Sequence, residues 1–400
     1  MSSKTVKLLL VGIGGYGHFY IDGIEALADQ VELVAIVDPF PAQALDWPTL
    51  QAQDIPCFDT LDAFLATGIT VDLAVLASPI SFHADQSCAL MEAGVHVLCE
   101  KPIAATIPEV ERMREVRDST GKFLEIGYQW SFSEAVQNLK TDILSGHYGM
   151  AQCLSTHVAW PRTSAYYARN SWAGKIHNAQ GAPVYDSPVA NATAHFLHNM
   201  LFVLGETQQS SALPRKIRAE CYRVNPIENY DTACLEVETE KGDRILFYTT
   251  HAADANDGPS FLYRFEGAEI RYEIGGDIVA YLADGSIKNY GNPEGTHMRK
   301  LDVCVAKVLD ADGATTPICS IEAASSHTYC VNALQQIPVY TVDPAYLQVK
   351  EIKPGEQLTF IPNMGVHLRE AFEQQKLFSE MNFPWATPMG AAVVVCPIHS

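Results

Sequence analysis

The stretch that most constrains this chain is a glycine-rich turn, Gly12-Ile13-Gly14-Gly15-Tyr16-Gly17, set between an apolar run and a helix-like segment. The run before it, Val6 to Val11, suits a buried strand, and after it Tyr16, Tyr20, Ile24 and Leu27 recur with a helical period. A G-x-G-x-x-G match alone is weak. Strand before and helix after make it the opening turn of a βαβ unit. In that setting Gly12 permits the tight turn, Gly14 lets the backbone approach a diphosphate, and Gly17 allows helix and strand to pack closely. The whole loop, with Ile13, Gly15 and Tyr16, is expected to line a dinucleotide, with the helix dipole facing its phosphates. Asp38 closes the next apolar run, 21 residues beyond Gly17, where its carboxylate can accept hydrogen bonds from ribose hydroxyls. A carboxylate there repels a 2'-phosphate, and Pro39-Phe40 supply no arginine, so NAD(H) is expected in preference to NADP(H). The alternative is an aspartate that merely ends a strand before a proline turn.

From Lys4 to Trp130, strand-like runs alternate with helical stretches: Val6 to Val11, Glu32 to Val37, Val71 to Ala77, Val95 to Cys99 and Lys122 to Gly127. Continuous Val/Ile/Leu runs separated by helices are what a parallel sheet covered on both faces requires. The first domain, residues 1–130, is therefore expected to be an α/β Rossmann fold, a doubly wound parallel sheet. In such a sheet the strand ends open onto the ligand crevice. Ser78, Pro79 and His83, which follow the third long run, are expected beside the cofactor; the alternative is a plain helix cap by Ser81 with a solvated His83. The fourth run ends in Glu100-Lys101-Pro102. A lysine at that strand end loses solvation, which lowers its pKa toward a range useful for proton transfer, while Pro102 disfavours helix at Lys101.

Glu100-Lys101-Pro102, placed after a strand at this distance from the glycine turn, resembles the family of glucose-fructose oxidoreductase and inositol dehydrogenase (Gfo/Idh/MocA). The resemblance continues through Ile126-Gly127-Tyr128-Gln129, the Ser145-Gly146-x-x-Gly149 junction and the segment Asn191 to Gly205, covering the chain to about Ile337. It implies NAD as cofactor, a sugar-like substrate, Glu100, Lys101 and Gln129 near the cofactor, Tyr128 near the substrate, and Lys101 in binding and proton relay. It also implies a large open sheet in the second domain whose bare face packs on another subunit, giving a homodimer or homotetramer.

Beyond Gly149 the character changes. Strand-like segments recur with hairpin signals: Gln152 to Trp160, Pro214 to Val224, Thr232 to Thr239, Arg244 to His251 and Phe261 to Glu266. An α+β domain with a large, predominantly antiparallel sheet is expected over residues 131–362, with part of 321–340 packing back on the first domain and 363–400 forming a C-terminal extension. In Thr232 to Glu238 one face reads Ala233, Leu235, Val237 and the other Cys234, Glu236, Glu238, as in a half-covered sheet.

Asp186-Ser187-Pro188 marks a helix start, and the helix is expected to run through Leu204 to a stop at Gly205. On it Asn191, His195 and His198 are spaced i, i+4, i+7 and share one face. Family members carry Asp, His and Asp at these spacings, the histidine as acid/base residue; here Asn191 and His198 replace both carboxylates. The proton work is then expected of Lys101 and His195, with Asn191 orienting a hydroxyl and His198 in support. His195 and His198 have no third ligand nearby at metal spacing, so no metal is expected. Upstream, Trp160-Pro161-Arg162 and the stretch Tyr166 to Lys175 form a polar, aromatic loop of the kind that carries function. Tyr167, Arg169, Trp172 and Lys175 are expected in substrate recognition or cofactor cover, or else in an oligomer contact.

A formal net charge of -20 with no basic block argues against nucleic acid as a partner. The apolar run Leu8 to Val11 is too short for a membrane span or signal core, which points to a cytoplasmic location, as do ten scattered cysteines without a Cys-x-x-Cys pair. The function expected is hydride transfer between NAD and a secondary hydroxyl or ketone of a sugar, sugar derivative or cyclitol. Two alternatives are an NAD-retaining enzyme that uses transient oxidation to eliminate a glycosidic substituent, and a non-catalytic NAD-binding regulator.

Overall fold

The structure, a computed structural model, describes residues 5–295, 297–310, 316–387 and 391–395. The chain divides into two compact units, Met1–Ser133 with Thr296–Ser325, and Glu134–Gly295 with Ser326–Ser400.

In the first unit, six parallel strands, β1 (Val6–Val11), β2 (Val31–Val37), β3 (Cys57–Phe58), β4 (Leu73–Leu76), β5 (His96–Cys99) and β6 (Leu124–Ile126), form one sheet. Their order is β3-β2-β1-β4-β5-β6. Leu8, Leu9 and Leu10 are all fully buried, which is why β1 shows no apolar-polar alternation: both of its faces are covered. The core joins Leu8, Leu10, Tyr20, Ile36, Val75 and Leu98 to Leu301, Cys304 and Val305 of the helix Arg299–Leu309. Strand order reverses between β1 and β4, so the chain leaves these neighbours in opposite directions and their carboxyl ends border a crevice. The glycine turn and the Ser78-Pro79 turn lie there.

The second unit is built on a ten-stranded mixed sheet. Nine of its strands are β7 (Ala151–Ala159), β8 (Pro214–Arg223), β9 (Thr232–Thr239), β10 (Arg244–Thr250), β11 (Asp257–Phe265), β12 (Ala268–Glu273), β13 (Ile278–Leu282), β14 (Ile287–Gly291) and β15 (Val339–Thr341), and the tenth is β18 (Ala392–Val395). The nine lie in the order β14-β13-β12-β11-β7-β10-β9-β8-β15. Pairing is antiparallel except for β7 with β10 and β8 with β15. A separate hairpin joins β16 (Gln348–Lys353) to β17 (Glu356–Phe360), and β18 (Ala392–Val395) adds to the edge of β8.

Alternation along β10 sends Thr249 toward the segment before the helix Ala194–Val203, where it meets Thr193 at 3.0 Å. It sends Leu246 and Tyr248 the other way, into a cluster with Met364, Leu368, Phe372, Phe378 and Trp385. The helix Met364–Gln374 and the turn Phe378–Met381 therefore cover the β7, β8, β9 and β10 part of the face expected to be bare. Cys234, expected on a half-covered strand face, is fully buried, and its sulfur accepts a hydrogen bond from the Phe378 amide at 3.4 Å. The outer ends of β11 to β13 stay open, with Arg264, Glu269, Arg271 and Tyr281 lining a depression of about 680 Å³. Among the described residues no helix is long and apolar enough to cross a membrane.

Candidate functional site

The glycine turn has the geometry its spacing implies. Gly12 sits at φ +85°, and a Cβ there would come within 3.0 Å of the Ala77 carbonyl and the Ser78 amide. A Cβ on Gly17 would lie 2.3 Å from the Gly12 carbonyl oxygen, so only glycine lets the helix Gly17–Ala26 start so close to β1. A Cβ on Gly14 or Gly15 would meet nothing within 4 Å. The loop thus packs tightly against the protein through Gly12 and Gly17 and leaves open approach over Gly14 and Gly15, a cradle that fits a diphosphate. Asp38, just past β2, accepts the Ile13 amide at 3.0 Å and the Phe40 amide at 2.8 Å. Its carboxylate is locked beside the loop and keeps lone pairs for further donors.

Across the crevice, Ser78 donates to Gln86 Oε1 at 2.6 Å. His83 is buried, not solvated. Its ring nitrogens lie 2.8 Å from the Pro102 carbonyl and 2.9 Å from the Ser78 carbonyl, and burial pushes its pKa down. It ties the turn after β4 to the turn after β5.

Glu100 is also buried. It accepts from Tyr20 at 2.7 Å and from the Lys300 ammonium. Burial raises its pKa, but Lys300 and the Tyr20 hydroxyl more than offset that and hold it below the usual carboxylate range. Lys300 also reaches the Tyr16 hydroxyl at 3.2 Å, and that hydroxyl donates to Gln129 at 3.1 Å. Glycine turn, strand end and Gln129 are thereby joined through a lysine that sequence reasoning missed. Its only signal was a cation within an apolar helical period. Lys101 is partly exposed at the carboxyl end of β5, and the peptide joining it to Pro102 is cis. Tyr128 is fully buried.

In the second unit the expected single helix from Asp186 is broken. Ser187 accepts the Ala190 amide at 3.1 Å, Pro188–Ala192 forms a π turn, and the α-helix begins only at Ala194. The break is fixed at Thr193, whose hydroxyl bonds the Pro188 carbonyl at 2.8 Å as well as Thr249. Asn191 therefore does not continue the helical face of His195 and His198; its amide donates to Asp186 at 2.9 Å. His195 is partly buried. His198 is fully buried and stacked on Phe202, with ring centroids 5.7 Å apart. Burial, then His327 and Lys140, push its pKa far down.

The aromatic loop folds into one cluster. The Arg169 guanidinium lies 3.5 Å from the Tyr166 ring centroid and 5.3 Å from that of Trp172. Tyr167 Oη is 3.4 Å from Nδ1 of His251, the residue after β10. Lys175 is exposed. The loop is anchored by Asp186, which accepts the Gly174 amide at 2.6 Å. His251 is a second residue that sequence reasoning missed, since it sits at the end of an otherwise structural strand. Among the described residues no group of three His, Cys, Asp or Glu side chains is placed to hold a metal ion.

Comparison with known proteins gives a consistent picture. Residues 6–128 match the sequence model of Gfo/Idh/MocA, described as an oxidoreductase family with an NAD-binding Rossmann fold. The chain is 25% identical over 217 residues to 4-carboxy-2-hydroxymuconate-6-semialdehyde dehydrogenase of a Sphingobium species, covering 54% of this chain and 64% of that one. It is 27% identical over 208 residues to inositol 2-dehydrogenase of Salmonella paratyphi B, covering 50% and 55%. The match thus spans less than two thirds of either relative. Among solved structures, the WlbA dehydrogenase of Bordetella pertussis, in complex with NADH and UDP-GlcNAcA, has the same fold, with a TM-score of 0.67 at 22% identity over 83% of this chain and 96% of that one.

Proposed function

From its membership of the Gfo/Idh/MocA oxidoreductase family, carried by residues 6–128, we propose that this chain transfers a hydride between NAD and a secondary hydroxyl or ketone of a sugar-like or cyclitol substrate. The observation that carries the reading is the glycine cradle with Asp38 at the crevice of the 3-2-1-4-5-6 sheet, and Lys101 at the end of β5. NAD, when bound, supplies the hydride acceptor. The chain's own part is the hydroxyl proton, and the residues assigned general acid and base work on it are Lys101 in the first unit and His195 in the second. Asn191, held by Asp186, orients a hydroxyl but takes no proton. Tyr167, Arg169, Trp172 and Lys175 recognise the rest of the molecule, and His198 supports His195 by packing. NAD is favoured over NADP because Asp38 presents a carboxylate where a 2'-phosphate would sit.

The test is turnover. Lys101→Met and His195→Ala should each lower kcat on an identified substrate by about 100-fold or more, with NADH affinity, read by fluorescence, little changed. Variants that keep kcat within about threefold of the parent would remove these two residues from the reaction.

A further inference from the structure

We propose that the substrate carries an oxyanion, a carboxylate or phosphate on a sugar-sized skeleton, and that Arg162 and Arg169 hold it; this rests on the oxidoreductase reading above. Acidic residues outnumber basic ones by 47 to 27, and many arginines are paired with them, as Arg112 is with Asp85, Arg218 with Glu236 and Arg369 with Asp257, while Arg223 is spent on the Ile227 and Glu228 carbonyls and Thr341. Arg162 and Arg169 have no carboxylate within 4.0 Å among the described residues. Both guanidiniums lie over the Tyr166 ring, at 4.9 Å and 3.5 Å from its centroid. One Nη of each is fixed on a loop carbonyl, Pro161 for Arg162 and Tyr166 for Arg169, which sets the direction of the remaining N–H groups.

Two buried polar atoms in this cluster have no partner among the described residues: Nε of Arg162 and Nε2 of His251. Arg162 Nε is always a donor, and His251 Nε2 is one in the tautomer whose Nδ1 accepts from Tyr167; a buried donor left unmade is costly, and beside two guanidiniums without a carboxylate these two offer their N–H groups to a ligand's acceptor. The nearby carboxylates are already used. Asp186 takes the Gly174 amide and Asn191, and Asp231 takes the amides of Val224 and Asn225. Two unmatched guanidiniums in a chain of charge -20 form a local attraction for an anion that the rest of the surface repels. The planar fork of each matches the oxygens of a carboxylate or phosphate. The cluster adjoins the helix of His195, because Trp160 packs edge-on to Phe196 at 5.6 Å.

The test is binding of hexuronates and hexose phosphates, D-glucuronate and D-glucose 6-phosphate among them, beside their parent hexoses, each with saturating NAD, by titration calorimetry and thermal shift. At least one anion should bind about tenfold or more tighter than its parent. Arg162→Gln and Arg169→Gln should each remove most of that preference, while Arg169→Lys, which keeps the charge, retains part of it. No anion ahead of its parent hexose, or a preference that survives in the double glutamine variant, overturns the proposal. NADH fluorescence checks that each variant still folds and binds cofactor. Anion preference without any net or internal redox turnover would sink the oxidoreductase reading and leave this one standing.

Discussion

Lys300 places its ammonium on the carboxylate of Glu100, 200 residues earlier in the chain, with side-chain exposures of 0% and 9%. The pair lies beneath the strand end that carries Lys101 and reaches the glycine turn through Tyr16. It therefore couples the return of the helix Arg299–Leu309 to the shape of the cofactor crevice.

Removing one partner leaves the other buried and uncompensated. Lys300→Met should cost about 3–5 kcal/mol of stability, read from the denaturant midpoint of the first unit. The double variant Lys300→Met, Glu100→Gln should recover part of the loss, because it removes the orphaned charge. A single variant within about 1 kcal/mol of the parent would mean that the pair is not what holds this crevice.

Gly17→Ala tests the turn itself. Its Cβ would have to share space with the Gly12 carbonyl oxygen, 2.3 Å away, so helix and loop must move apart. NADH affinity should fall by about tenfold or more, while the far-ultraviolet circular dichroism of the chain stays close to that of the parent. Undiminished NADH binding would show that the diphosphate does not use this turn.

Asp38→Ser removes the carboxylate that takes the Ile13 and Phe40 amides. On the proposed reading, charge-assisted hydrogen bonds to the ribose are lost and a 2'-phosphate is no longer repelled. The ratio of NADPH to NADH affinity should rise by about tenfold or more in fluorescence titrations. An unchanged ratio would place cofactor choice elsewhere.

Acid should weaken the fold early. His83, His157, His198 and His251 are buried and their pKa values are pushed down by burial, that of His157 to about 4. Each is neutral when folded yet binds a proton below about pH 6.5 when unfolded, so its contribution is present above that pH and lost as pH falls. The slope is about 1.4 kcal/mol per pH unit for each histidine. The thermal midpoint should therefore drop steeply from pH 7 to pH 5, and His157→Asn should flatten the curve. A midpoint independent of pH over that range would contradict the buried neutral rings.

The C-terminal cover is expected to be part of the second unit's core. Phe378 is fully buried against Tyr222, Tyr248 and Trp385, so Phe378→Ala should cost about 3–5 kcal/mol, measured by urea unfolding. A loss below about 1 kcal/mol would mean that the cover is not cooperative with the sheet.

The Rossmann half was legible because its signals are local. A parallel strand buried on both faces must be apolar throughout, and a strand-to-helix turn under a diphosphate must have glycines at fixed spacing; neither depends on distant residues. The helix from Asp186 was legible only in part. Its cap, proline and stop are local, but at the break the Thr193 hydroxyl bonds not only the Pro188 carbonyl nearby but also Thr249, 56 residues away, and no helical period records that second partner.

From the sequence alone followed the doubly wound sheet, the tight glycine turn with Asp38 closing the next strand, the strand end at Lys101 and the mostly antiparallel second sheet, since steric limits and burial patterns act on neighbours along the chain. Tertiary structure alone decided that Glu100 is spent on Lys300, that His251 stands beside Tyr167, and that Met364 to Trp385 cover the sheet face which alternation had left bare. Each of these is a pairing of residues far apart in the chain, where burial makes partners compulsory but leaves no mark on either sequence to say which partner it will be.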